Sequence, residues 1–88
     1  MNKSQALIVL KKVAERNSIR DAILQYYTIE PKLRKRIGRG QVHTRISAVT
    51  GLPINNSFIF HVKSVLKDLG ARETVGNGKK YYSGITIQ

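Results

Sequence analysis

The run Thr74-Val75-Gly76-Asn77-Gly78-Lys79-Lys80-Tyr81-Tyr82 changes the period of the chain. Upstream of it, apolar residues recur at three- and four-residue steps. From Arg72 onward, Arg72-Glu73-Thr74-Val75 and Lys79–Ile87 are rich in β-branched and aromatic residues. Asn77-Gly78 between two such runs is the strongest short hairpin signal, because both central residues of the favoured turn need positive φ. The spacing therefore predicts a two-stranded antiparallel hairpin over 71–87. A lone hairpin is marginal in water, so it must pack on helices, and Ile85 and Ile87 point to one face as the natural contacts.

Working back from the hairpin, Gly70 ends a helix that Asn55 or Asn56 can cap. Ile59, Val62, Leu66 and Leu69 form its core stripe, with Phe58 and Val65 on the flank. Leu52-Pro53-Ile54 connects it to a preceding helix, about Gln41 to Thr50. There Val42, Ile46 and Val49 fall at i, i+4 and i+7, and Gly51 sits where a helix end wants positive φ. Two further helices are predicted before the Gly38–Gly40 break. The first runs from a Ser4 cap to Arg16, with Ala6, Leu7, Leu10, Val13 and Ala14 as one stripe. Asn17 ends it, and Ser18 opens a second helix that buries Ile19, Ala22, Ile23 and Tyr26. Tyr27 has no place on that stripe. Pro31 stops this helix by Thr28–Ile29 and is able to begin a short helical turn through Leu33 and Ile37.

The 88 residues make one domain, since independent cores run to roughly 50–200 residues. The chain has no cysteine, which excludes a disulfide scaffold and a thiolate zinc site. Its longest early apolar run, Ala6–Leu10, is far short of a membrane span or a secretory core. These features predict a cytoplasmic protein with no membrane partner. Sixteen Lys and Arg against five Asp and Glu leave a formal charge of +11. So large an excess in a small folded chain points to a polyanion, most commonly nucleic acid. The charge is concentrated in residues 32–45, where Lys32, Arg34, Lys35, Arg36, Arg39 and Arg45 stand without an acid and Gly38 and Gly40 permit close approach of a phosphate.

The order helix, glycine-marked turn, helix, glycine, basic hairpin resembles the winged helix-turn-helix family. Three stretches carry the resemblance: Ile46-Ser47-Ala48-Val49-Thr50-Gly51-Leu52, then Ile59…Val62…Leu66…Leu69-Gly70, then Val75–Tyr82. It implies a mainly α fold of three to four helices with a C-terminal two-stranded wing. In that organisation 1–30 is helical support, 31–45 a basic connector, 41–69 the helix-turn-helix and 71–87 the wing. From Val62 on, the chain is also similar to the winged domain that ends many phage and poxvirus-type primase–helicases. That similarity implies a phage or mobile-element origin and replication-origin DNA as target. One departure stands out. In tight helix-turn-helix units the first buried residue of the second helix falls about six residues after the turn glycine, and here Ser57 holds that place. The turn is therefore expected to be longer.

The resemblance implies that the second helix of the pair enters the DNA major groove with its N-terminal residues against base edges. Here those are Asn55, Asn56, Ser57, Phe60, His61 and Ser64. Asparagine pairs bidentately with adenine and Phe60 can meet a thymine methyl, although one of the two asparagines is also the N-cap. His61 either donates to a phosphate or guanine or simply faces solvent. Candidates for backbone contact are Lys32, Arg34, Lys35, Arg36, Arg39, Arg45, Lys63 and, on the wing, Arg72, Asn77, Lys79 and Lys80. Tyr81 and Tyr82 point to opposite faces of their strand, one of them into the core.

Catalysis finds no support in the residues. The five carboxylates are scattered, His43 and His61 lack further ligands at metal spacing, and no phosphate-binding Gly-Lys-Ser/Thr loop occurs. No cofactor, metal or small-molecule ligand is expected. The reading is a non-enzymatic, sequence-specific binder of double-stranded DNA, as a transcription regulator or origin binder. The alternatives are a winged domain that binds structured RNA, or a small basic protein that binds and inhibits a host protein. Leu7, Ile8, Val9 and Leu10 exceed what one helix face needs, which leaves apolar surface for a homodimer through the N-terminal helix.

Overall fold

The structure, a computed structural model, describes residues 3–88, with side chains from Gln5 onward. The elements in order are α1 (Lys3–Tyr26), β1 (Tyr27–Ile29), β2 (Arg36–Gly38), α2 (Arg39–Thr50), α3 (Asn56–Leu69), β3 (Arg72–Gly76), β4 (Lys79–Ser83) and β5 (Ile85–Ile87).

The two expected N-terminal helices are one. Asn17 and Ser18 lie in the middle of α1 and do not break it. Ordinary residues differ from alanine in helix propensity by at most about 0.7 kcal/mol. Burying an isoleucine is worth roughly 1.5–3 kcal/mol, and Ile19, Ala22 and Ile23 are all buried within α1. Tertiary packing overrides the local stop signal. Ser4 also lies inside α1, and the cap assigned to its side chain falls outside the described residues. The helix ends at Tyr26, earlier than the Pro31 signal implies, because Tyr27 starts a strand. Tyr27 is therefore a core residue and Tyr26 only half-buried. After Pro31 the chain makes a turn, closed by the Leu33 N–H donating to the Glu30 carbonyl at 3.0 Å, and no helical turn reaches Ile37.

The hairpin forms as expected. Asn77 and Gly78 both have positive φ, 52° and 76°, between β3 and β4. Its register runs from Arg72 opposite Ser83 to Gly76 opposite Lys79. The basic segment Arg36-Ile37-Gly38, expected as connector, instead adds a third strand, giving the order β2-β4-β3. The second hairpin arm does not run on to Ile87. At Gly84, with φ of 78°, the chain leaves this sheet, and β5 pairs antiparallel with β1. Gly84 donates its N–H to the Lys35 carbonyl and accepts from the Glu30 N–H, each at 2.9 Å. A Cβ there would sit 3.1 Å from the Glu30 carbonyl oxygen in a conformation that disfavours side chains, so glycine is required.

α2 begins two residues before its expected start, at Arg39, and both α2 and α3 close on left-handed glycines, Gly51 and Gly70. Val42, His43 and Ile46 are the buried residues of α2, while Val49, expected in the core, is exposed. On α3, Phe58, Val62, Val65 and Leu66 are buried and Ile59 and Leu69 only partly so. The core-facing side is turned by about 40° from the expected stripe, toward Phe58 and Val65. The result is a small α/β domain with three helices, a C-terminal hairpin and two antiparallel sheets among the described residues.

Candidate nucleic-acid interface

α3 starts at a well-formed cap. Asn55 is extended (φ −136°, ψ −178°), and its Oδ1 accepts the Phe58 N–H at 2.9 Å, one of the donors a helix start leaves unpaired. The Asn55 side chain is thus engaged in capping. Asn56 and Ser57 follow it in the first turn and are exposed. Ser57 faces solvent and Phe58 is the first buried residue, so the longer turn expected from the departure at Ser57 is present.

The 40° turn of α3 decides which candidates look outward. His61 does not: only 8% of it is exposed, and neither ring nitrogen has a hydrogen-bond partner. Its placement on the outer face is corrected, and the cause is the shift of the core side toward Phe58 and Val65. Ser64 is half-buried. Phe60 is 67% exposed, although it carries a large apolar ring. Asn56, Phe60, Lys63 and Lys67 then fall at steps of four, three and four along one exposed stripe. Lys67 was absent from the sequence candidates, yet its spacing from Phe60 and Lys63 marks it.

Three elements meet this stripe through one carboxylate. Glu73 on β3 lies 3.4 Å from Lys63 Nζ on α3 and 3.4 Å from the Arg39 guanidinium at the start of α2. Lys63, Lys67 and Arg72 line one cleft between α3 and β3, over Leu66, Ala71 and Tyr82. Arg39, Lys79 and Lys80 line a second, of about 470 Å³, between the start of α2 and the hairpin tip. Gly38, Gly40 and Gly78 supply its backbone walls, and the space where a Gly40 side chain would stand is open. α2 has no side-chain cap and no acid of its own in its first turn, and its first residues, Arg39 and Gly40, line this cleft. Asn77 is exposed at the hairpin tip beside it.

The basic connector does not stay together. Lys32, Arg34 and Lys35 are exposed before β2, beyond the Ser83 end of the sheet and away from the hairpin tip. The Arg36 guanidinium stacks 4.1 Å from the Tyr81 ring centre, and that of Arg45 lies 4.8 Å from the ring of Tyr26. Of the six, Arg39 is the one that lines the cleft at the hairpin tip.

Beneath the surface, His43 of α2 pairs its Nε2 with the Tyr82 hydroxyl at 3.0 Å and meets Phe58 and Tyr82 edge-on. The pair joins α2, α3 and β4 at the level of Glu73. Burial lowers the His43 pKa below its ordinary 6.5, with the nearby Arg39 charge adding to the shift and Glu73 opposing it. Burial, with Glu73 adding, pushes the Tyr82 hydroxyl up to about 12. Tyr82 is the core-facing tyrosine of the expected pair.

Among the described residues no group of three or more His, Cys, Asp or Glu is placed to hold a metal ion, and no helix is long and apolar enough to cross a membrane. Set against known proteins, the chain matches no family model, no curated protein and no solved structure.

Proposed function

We propose that the chain is a winged helix-turn-helix protein that binds double-stranded DNA, with α3 in the major groove and the β3–β4 hairpin as the wing. The element order β2-α2-α3-β3-β4, with β4 between β2 and β3, supports this reading. The observation that carries it is the outward stripe of α3. Asn56 offers an amide suited to adenine, Phe60 an apolar surface suited to a thymine methyl, and Lys63 and Lys67 cations suited to flanking phosphates. Arg39, Arg72, Lys79 and Lys80 add cations in the two clefts, which are linked by Glu73, a lining residue of the first that reaches Arg39 in the second. A transcription regulator and an origin binder use the same contacts.

Titrating the protein with duplex DNA, duplex RNA and single strands over a range of salt tests the reading. Duplex DNA is expected to bind tightest and to lose two to three orders of magnitude in affinity between about 50 and 200 mM salt. A preference for duplex RNA would move the same surface to an A-form helix. No binding to any nucleic acid at low salt would end the nucleic-acid reading and favour docking on an acidic protein.

A further inference from the structure

The N-terminal half of α1 carries a surface that the domain itself leaves uncovered. Leu7, Ile8, Val9, Leu10 and Val13 are 67%, 54%, 47%, 65% and 51% exposed. Ile8 points to the same side as Ile19, but the other four cannot be absorbed by sliding the helix along the core. At 3.6 residues per turn, the stripe Ala6, Leu7, Leu10, Val13 and Ala14 lies about half a turn round from Ile19, Ala22 and Ile23, the residues that α1 buries. One helix thus has an inner apolar face in its second half and an outer one in its first.

The outer face has a regular spacing. Ala6, Leu10, Val13, Asn17 and Leu24 follow at steps of four, three, four and seven, the a and d positions of a heptad seam. All are exposed or half-exposed, including Leu24 toward the end of the helix. Arg20 holds the remaining d position, and its side chain lines a small cleft with Arg16, Val65, Asp68 and Leu69 of the body, so it leans off the seam. Asn17 sits mid-helix, where it does nothing for the core. At an a position it would meet its own copy, the arrangement in which a buried asparagine sets parallel pairing and register.

We infer that α1 pairs in parallel with the α1 of a second copy of this chain along this seam. The area is adequate for a weak, specific dimer. Leu7, Val9, Leu10, Val13 and Leu24, on the seam or flanking it, leave on the order of 400–500 Å² per copy, the size of the largest apolar patches on monomers. Two copies together hide on the order of 1,000 Å² before the stems of neighbouring side chains are added, at the lower bound for specific interfaces. Parallel pairing leaves both domains at the same end of the seam, each on its outer side. The inference is independent of the ligand of α3.

Sedimentation of the full chain tests it. The wild type is expected to shift from 9.9 kDa to twice that mass as concentration rises to about 100 µM. Because two cationic chains repel, added salt strengthens this association, the opposite of its effect on nucleic-acid binding. Leu10→Glu is expected to raise the dissociation constant at least tenfold while leaving the circular dichroism spectrum and Tm of the dilute protein unchanged, since Leu10 is 65% exposed. The absence of native cysteine allows an orientation test. Ala6→Cys and Leu24→Cys should each cross-link to themselves, which an antiparallel pair does not allow at both ends. A wild type that stays at one chain mass, or a Leu10→Glu protein that associates like the wild type, overturns the inference. Cross-linking at neither position does so too.

Discussion

Replacing Lys63 and Lys67 by glutamine removes the two cations of the α3 stripe without touching the core. Six cationic side chains line the two clefts beside that stripe: Arg39, Lys63, Lys67, Arg72, Lys79 and Lys80. Glu73, held between Arg39 and Lys63, offsets about one of them. About five net phosphate contacts correspond to a slope of log affinity against log salt near −4.5, at about 0.9 per contact. The wild type should therefore lose about 500-fold in duplex affinity between about 50 and 200 mM salt. The double variant, with about three net contacts, should show a slope near −2.7 and lose only about 40-fold over the same range. Its stability should change little, because the Lys63–Glu73 pair is solvent-screened and such pairs contribute about 0–1 kcal/mol. Fluorescence anisotropy with a labelled duplex reads the slopes directly. The control is Lys11→Gln with Lys12→Gln, two exposed lysines on α1 outside both clefts. If the control flattens the slope as much as the α3 pair, binding is diffuse attraction to a basic chain and the assignment of α3 fails. An unchanged slope for Lys63 and Lys67 has the same meaning.

The two asparagines separate a cap from a contact. Asn55→Ala should cost about 0.5–2 kcal/mol of stability, whereas Asn56→Ala should leave Tm unchanged and weaken a selected duplex site by about 1–3 kcal/mol with little effect on random DNA. His61→Leu should raise stability, since it replaces a buried ring whose nitrogens lack hydrogen-bond partners with an apolar side chain; a fall in Tm would show that those nitrogens are paired or that the edge-on contact with Phe60 outweighs their cost. Stability should fall as pH drops below 6.5, because unfolding lets His43 take up a proton that the folded core resists. It should fall again above pH 10, because the unfolded Tyr82 ionises while the folded one, at about 12, does not; Tyr82→Phe should shrink that alkaline limb in thermal melts and leave the part due to Tyr27, whose pKa burial also raises. Leu66→Ala, at a side chain 1% exposed, should cost ~2–5 kcal/mol, and an unaltered melting temperature would refute the observed phase of α3.

The elements with local signals were legible in the sequence. Asn77-Gly78, Gly51, Gly70 and an asparagine cap at Asn55 or Asn56 each satisfy a backbone requirement that few other residues meet, so their positions could be read without tertiary context, although which asparagine caps could not. The errors lie where long-range packing outweighs local preference. Asn17-Ser18 reads as a helix stop, yet α1 continues because Ile19 and Ile23 are held by the rest of the core. Arg36-Ile37-Gly38 reads as a charged loop, and only the presence of β4 beside it makes it a strand. The face of α3 depends on a rotation of some tens of degrees, below what the spacing of Ile59, Val62, Leu66 and Leu69 resolves. That small rotation moved His61 inside and brought Lys67 into the exposed row. The missed role of His43 has the same origin, for nothing near it in sequence announces Tyr82.

The pairing of β5 with β1 has a consequence for biosynthesis. Gln88 donates from its backbone N–H to the Tyr26 carbonyl and from Nε2 to the carbonyls of Leu24 and Tyr27, the last 61 positions away in the chain. The end of α1 is therefore not closed over until synthesis has passed Gln88, and contacts of such sequence separation make for slow, concerted folding. On the ribosome, α2 and α3 emerge before the strand that completes the fold, so a nascent chain arrested before Ile85 should stay sensitive to protease.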